Sequence, residues 1–186
     1  RLEAQRTADE VNARVFQWLE GRKPGKRVFL WVHYYDPHDP YRPPEKPGRS
    51  LAGSGYDREI SYVDACFGDL VQRLRRAGLF DLSVLVVAGD HGESLGDHGE
   101  KFHGMFLYEA TQHVPLLIRT PEGDRGRSGI IVQPHDIFAT VLGMAGVRPP
   151  AGTDGYDVLA AARAGSAGPR RIALAGHSIP WQTDSV

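Results

Sequence analysis

A chain of 186 residues that is 41% hydrophobic and 24% charged can bury a core as one domain, which excludes an intrinsically disordered chain. Its 22 basic residues stand against 23 acidic ones for a formal charge of -1, so nothing in the composition argues for nucleic-acid binding and a small molecule is the expected partner. The single cysteine, Cys66, rules out an internal disulfide and any cysteine-based zinc cluster.

Most of the basic residues are arginine, a bias in keeping with GC-rich coding DNA and a bacterial source. The charged residues 1–10 carry no signal-peptide pattern, and no apolar run approaches membrane-spanning length. The compartment stays open.

In chain order, residues 2–20 place Leu2, Val11, Val15, Phe16 and Leu19 among charges and reach Gly21, which predicts an amphipathic helix with a glycine stop. Residues 28–32, Val-Phe-Leu-Trp-Val, predict a strand covered on both faces. Pro37, Pro40, Pro43, Pro44 and Pro47 then forbid regular structure across residues 36–55. A second helix is expected over residues 57–77, where Ile60, Val63, Phe67, Leu70 and Leu74 recur at steps of three and four before Gly78. Buried strands are expected at residues 82–88 and 114–118, separated by a polar loop whose end, Tyr108-Glu109, starts a short helix. Pro134 to Met144 predicts a last helix, with Ile137, Phe138, Val141 and Leu142 as its apolar face. The glycine-rich residues 152–168 read as a surface segment, followed by a short strand at residues 171–175.

Strands alternating with helices predict an α/β domain with a largely parallel or mixed sheet flanked by helices. Three clear strands are few for such a sheet, so edge strands hide in the tail or upstream sequence supplies the rest. Cys66 falls near the apolar face of the second helix and reads as a buried, inert thiol.

The chemistry concentrates after the predicted strands. His33, His38, His91, His98, His103 and His113 all follow a strand or lie in the loop after residues 83–88, where a parallel sheet gathers its active-site loops. Asp90 and His91, an acid beside an imidazole at a strand end, are candidate ligands of a divalent cation; the carboxylate suits calcium, magnesium or manganese, and the imidazole draws the choice towards manganese or zinc. The same Asp-His-Gly is also an ordinary turn. Two ligands cannot hold a catalytic metal, so further oxygen donors are needed. Asp97 is placed to support the ligands from behind, Glu93 to meet helix amides, and Asp36 and Asp39 to form turns. His38, set between Pro37 and Pro40, is a pre-positioned imidazole that can bind an anionic oxygen or protonate a leaving group. Lys101 and His103 are candidate anion contacts, and Gly104 lets the backbone approach closely beside them. His135 reads as exposed in the first turn of a helix, without a catalytic assignment.

Taken in order, Trp31-Val-His33-Tyr-Tyr-Asp-Pro-His38-Asp-Pro-Tyr41, Asp90-His-Gly-Glu-Ser-Leu-Gly-Asp-His98-Gly, Leu107-Tyr-Glu109, Val114-Pro-Leu-Leu-Ile118 and Gln133-Pro-His-Asp-Ile-Phe-Ala-Thr-Val-Leu142 closely resemble the sulfatase family of the alkaline phosphatase superfamily. The resemblance covers residues 1–160 and implies an alkaline phosphatase-like sheet, incomplete on its N-terminal side, with residues 161–186 beginning a smaller subdomain or tail. It implies that Asp90 and His91 are the second pair of metal ligands, where many sulfatases have Asp-Asn and several phosphodiester or phosphonate hydrolases have Asp-His. His38 matches the histidine that contacts the sulfate or phosphate and assists the leaving group, and His103 falls where many members carry a substrate-binding lysine. Calcium is the metal the resemblance favours.

The family's strand with two adjacent metal-binding aspartates, and the Cys- or Ser-x-Pro-x-Arg element whose Cys or Ser becomes the formylglycine nucleophile, are not found in this sequence. Cys66 precedes Phe-Gly-Asp and does not fit that element. The resemblance therefore implies the C-terminal half of a catalytic domain, inactive alone, with the N-terminal half as its partner and a small anionic ester as substrate. Two alternatives stay open: a phosphodiester, phosphonate or group-transfer enzyme of the same superfamily, and a non-catalytic module that binds metal or anions.

Overall fold

The computed structural model describes residues 6–23, 25–44 and 53–175. The chain divides into two compact units, Arg1–Leu82 and Ser83–Val186. No described helix is long and apolar enough to cross a membrane.

The first unit is built on two helices. Helix α1 (Ala8–Gly21) opens at Thr7, whose amide donates to the Glu10 carboxylate at 2.9 Å, and Asp9 and Glu10 lie at the positive end of the helix dipole. The expected start at residue 2 lies outside the described residues. Helix α2 (Gly55–Arg76) begins earlier than the expected residue 57 because Ser54 caps it: its hydroxyl accepts from the Asp57 amide at 3.2 Å, and its own amide donates to the Asp57 carboxylate at 2.9 Å. Arg73, Arg75 and Arg76 occupy the last turn, and Gly78, at a φ of +66°, ends the helix in the left-handed region.

Ala8, Val15 and Leu19 of α1 pack against Tyr62, Cys66 and Leu70 of α2. Cys66 is fully buried, as expected. The buried face of α2 is turned from the predicted stripe: Ile60 is 44% exposed while Glu59 is buried, because the Glu59 carboxylate accepts the His38 amide at 2.8 Å. Polar groups inside this core are paired. Asn12 donates to the Cys66 carbonyl at 2.7 Å and accepts the Tyr34 hydroxyl at 2.6 Å. The Tyr62 hydroxyl donates to the Asp9 carboxylate and accepts the Asp9 amide at 3.1 Å. Burial, aided by the Asp9 carboxylate, holds the Tyr62 phenol above the ordinary tyrosine range.

Residues 28–32 depart from expectation. They form no strand, and their exposure alternates: Leu30 and Val32 pack on the core, while Phe29 and Trp31 are 76% and 77% exposed. A continuously apolar run does not distinguish one covered face from two, and among the described residues only one face is covered.

The second unit holds the only sheet among the described residues. Strand β1 (Leu85–Ala88) pairs with β2 (Leu116–Arg119), Leu85 opposite Arg119 and Ala88 opposite Leu116. The pair is antiparallel, so the α/β reading holds in its mixed form and the largely parallel arrangement is not what these two strands make. The chain between them returns through helix α3 (Glu109–Gln112), the short helix expected after Tyr108.

Helix α4 (Asp136–Met144) is followed by α5 (Val158–Arg163), which replaces the predicted surface segment. Asp157 caps α5 by accepting the Leu159 and Ala160 amides, each at 3.0 Å. The Thr140 hydroxyl ties the two helices, donating to the Asp136 carbonyl at 2.8 Å and accepting the Val158 amide at 3.1 Å.

Asp136 is fully buried and is met by Arg170, by the Gln133 amide at 2.7 Å and by the Tyr156 amide at 3.2 Å. Burial opposes its ionisation, but the Arg170 and backbone hydrogen bonds outweigh it and leave its pKa below the ordinary carboxylate value. This pairing draws residue 170 back onto α4. The strand expected at residues 171–175 is absent; Ile172 and Leu174 are 66% and 74% exposed.

Candidate functional site

In the second unit, β1 delivers Asp90 and His91 at its carboxyl end. The Gly89 amide donates to the Pro115 carbonyl at 3.2 Å, continuing the ladder towards the tip, and Asp90 follows with its side chain 75% exposed. One Asp90 carboxylate oxygen accepts the His91 amide at 3.0 Å. His91 Nδ1 lies 2.9 Å from the Gly92 carbonyl, a contact that in the neutral ring selects the tautomer with its hydrogen on Nδ1 and its lone pair on Nε2.

His91 Nε2 and Asp90 Oδ1 stand 3.9 Å apart. Two donors each about 2.0–2.5 Å from one cation lie roughly 3–4 Å from each other, so the pair fits a shared ion. No group of three or more His, Cys, Asp or Glu side chains able to hold a metal is assembled among the described residues. By themselves two side chains are too few to hold a catalytic metal.

The backbone after His91 is fixed by a glycine. The Gly92 amide donates to the Thr111 carbonyl at 2.8 Å, and a Cβ on residue 92 would stand 2.0 Å from the Ala110 carbonyl oxygen. Only glycine allows the strand end to lie so close to α3. The loop then doubles back, with the Ser94 amide donating to the Phe102 carbonyl at 3.1 Å and the Gly96 amide to the Glu100 carbonyl at 2.8 Å.

Glu100 locks the fold of this loop from inside. Its buried carboxylate accepts the Ser94 hydroxyl at 3.1 Å and the amides of Met105 at 2.9 Å and Phe106 at 3.3 Å. Sequence reasoning passed over Glu100. Its only signal was an acid inside a glycine-rich loop, which usually means a solvated charge.

Doubling back sets His103 beside His91, the two rings stacked at 3.9 Å with 28° between planes. His103 Nδ1 lies 3.3 Å from both Glu93 carboxylate oxygens. Glu93, expected to meet helix amides, stands against this imidazole. Lys101 is exposed on the same loop. Asp97, expected behind the ligands, sits exposed in a short helical turn and holds the loop through its amide, which donates to the Ser94 carbonyl at 2.9 Å.

Among the described residues of this unit, the other histidines have other partners. His98, at a φ of +54°, stacks on Tyr108 at 4.2 Å, and His113 Nδ1 lies 3.2 Å from the Glu109 carboxylate across one turn of α3. His135 is about half exposed, with Nε2 2.8 Å from Arg170 Nη2.

His33 and His38 belong to the first unit. His33 is exposed. His38 is held from three sides: its amide donates to Glu59, its Nδ1 lies 2.9 Å from the Asp39 carbonyl, and its ring stacks on Tyr35 at 4.4 Å. The peptide bonds preceding Pro37 and Pro40 are both cis. Asp36, read as a turn former, is buried and accepts the Ala8 amide at the start of α1, tying this loop to the helix at 2.8 Å. Arg42, not singled out in the sequence, lines a shallow pocket with His38, Tyr35 and Glu59 and places a permanent positive charge there.

Residues 4–147 match the family model described as Sulfatase. Arylsulfatase K of Bos taurus is 36% identical over 99 residues, covering 52% of this chain and 18% of that protein. The yidJ protein of Bacteroides fragilis superposes with a TM-score of 0.73 at 21% identity, over 86% of this chain and 41% of its own. A phosphonate monoester hydrolase from Silicibacter pomeroyi superposes with a TM-score of 0.66 at 23% identity, over 91% of this chain and 45% of its own. The chain therefore spans about a fifth of the curated relative's length and less than half of either solved chain.

Proposed function

The chain belongs to the sulfatase family, with an alkaline phosphatase-like fold, and on that premise we propose that it carries part of an active site that hydrolyses sulfate esters. The observation that supports this most is the strand-end pair Asp90 and His91, with an imidazole nitrogen left open and His103 stacked beside it. Asp90 and His91 would hold a divalent cation, calcium by preference, as two of its ligands. Such a cation, when bound, neutralises charge on the ester's oxygens.

The other roles belong to the chain's own side chains. His103 and Lys101 bind the anionic group of the substrate, His103 from a fixed ring and Lys101 from an exposed, adaptable stem. His38, its ring fixed by Tyr35 and the Asp39 carbonyl, donates the proton that the departing ester oxygen takes up. The formylglycine nucleophile and the remaining oxygen ligands come from the rest of the catalytic domain, so the 186 residues alone are expected to be inactive.

A second reading, phosphodiester or phosphonate hydrolysis, is favoured by one feature: residue 91 is histidine where many sulfatases carry asparagine. Assaying the gene's full product with an aryl sulfate, a phosphate diester and a phosphonate monoester separates the two. A kcat/KM highest on the aryl sulfate supports the first reading, and one highest on the phosphonate supports the second. No turnover of any of the three overturns both in favour of a non-catalytic binding module.

A further inference from the structure

We infer that residues 28–34 are the surface on which the rest of the catalytic domain docks: a strand whose pairing strand and second covering layer both come from outside the 186 residues. It rests on membership of the sulfatase family and not on which ester is cleaved. The inner face of the segment is already occupied. Leu30, Val32 and Tyr34 pack on the core cluster of Val15, Leu19 and Leu70. The Tyr34 hydroxyl donates to the Asn12 side chain at 2.6 Å, pinning that end of the segment on α1.

The backbone and the outer face have no such partners. Residues 26–36 run without a turn or bend, and from Arg27 to Tyr34 the exposure alternates residue by residue, which is the period of a strand. Composition agrees, since Val28, Phe29, Trp31, Val32 and Tyr34 are β-branched or aromatic. Yet among the described residues no backbone-to-backbone hydrogen bond reaches residues 28–34. Phe29 and Trp31 stand on the outer face, 76% and 77% exposed. Covering those rings also takes the neighbouring amides and carbonyls out of water, so whatever docks here must supply hydrogen bonds as well as apolar surface. A strand that adds to the open edge and brings an apolar layer with it does both.

Size selects the source of that strand. Large aromatic side chains bury roughly 150–250 Å² each, so the two exposed rings offer on the order of 200–400 Å², well short of the about 800 Å² per partner found in stable complexes. A second copy of the chain is therefore a poor occupant. A segment of the same polypeptide needs far less area, because its effective concentration is high. There is ample chain to provide one: these residues span less than half of the yidJ protein and of the phosphonate monoester hydrolase.

Peptide-resolved hydrogen exchange and hydroxyl-radical footprinting, run on the gene's full product and on the 186-residue chain, separate the outcomes. In the full product the amides of residues 28–34 are expected to exchange at least about 100-fold more slowly than in the 186-residue chain, with Phe29 and Trp31 oxidised several-fold less. Fast exchange and ready oxidation in the full product overturn the inference, whether or not the 186-residue chain folds by itself. Protection that appears in the 186-residue chain only as its concentration rises, and is missing from the full product, overturns it in favour of a second copy. Trp31→Ala is expected to lower the urea midpoint of the full product and to leave that of the 186-residue chain unmoved; equal shifts in both overturn it. None of these readouts is an activity, so a full product that turns over no ester defeats the proposed function and leaves the docking surface to be decided by exchange and footprinting.

Discussion

Gly92→Ala should be the most informative single-methyl change in the chain. The added Cβ would stand 2.0 Å from the Ala110 carbonyl oxygen, 3.0 Å from its carbon and 3.2 Å from the Thr111 Cα, all backbone atoms that cannot rotate away. A carbon needs about 3.3 Å from a carbonyl oxygen, so the strand end or α3 must retreat by more than ~1 Å. That movement stretches the 2.8 Å hydrogen bond from the Gly92 amide to Thr111. Overpacking of this kind costs about 1–3 kcal/mol and the weakened hydrogen bond about 0.5–1.5 kcal/mol, for an expected loss of about 2–4 kcal/mol. Urea unfolding of the variant measures it.

The functional consequence is of similar size, because His91 is the adjacent residue and a displacement near 1 Å can cost about 100-fold in rate, about 2.7 kcal/mol. Gly21→Ala serves as control: nothing lies within 4 Å of a Cβ there, and the change should be neutral or stabilising by up to about 1 kcal/mol. A Gly92→Ala chain within about 0.5 kcal/mol of wild type, with its His91 and His103 ring resonances unmoved, would refute the claim that α3 fixes this strand end.

Other outcomes follow from the same contacts. Asp136→Asn leaves Arg170 facing a neutral amide in a buried setting and should destabilise the chain by about 3 kcal/mol or more in thermal or urea unfolding. Because the folded Asp136 pKa is depressed, its stabilisation is present above the ordinary carboxylate range and is lost as pH falls through the folded value, so the variant should lose less stability on acidification than wild type. Tyr62 is the opposite case: its raised phenol pKa gives stability that is full below about pH 10 and is lost as pH rises further, and Tyr62→Phe should flatten that alkaline decline while costing about 1 kcal/mol at neutral pH. Asp157→Ala removes the cap that starts α5 and should cost about 1 kcal/mol, read by the unfolding midpoint.

The long elements were legible because their signals are periodic. Both helices of the first unit, α4, and the two strands that flank the candidate ligands followed from apolar spacing and glycine stops. The candidates His38, Asp90, His91, Lys101 and His103 came from ordered motifs, and what the structure adds to them is the stacking of His103 on His91. What could not be read were pairings. An apolar run such as residues 28–32 carries no record of how many of its faces are covered, and the sense of the β1–β2 pair depends on how the intervening loop and α3 return. Helix α5 escaped notice because glycines on either side of it masked the Asp157 cap and the alanine run. Glu59 and Glu100 were missed for one shared reason: an acid on a helix or in a loop looks solvated until the tertiary fold shows the His38 amide or the Met105 and Phe106 amides that it satisfies.

Aryl sulfate hydrolysis by the gene's full product, measured with the bound metal counted in wild type, Asp90→Ala and His91→Ala, tests the central claim most directly. Each variant should lose stoichiometric metal and at least about 100-fold in kcat/KM, since even groups that merely orient metal ligands cost up to that much. Variants that keep both metal and activity would contradict the assignment of the strand-end pair.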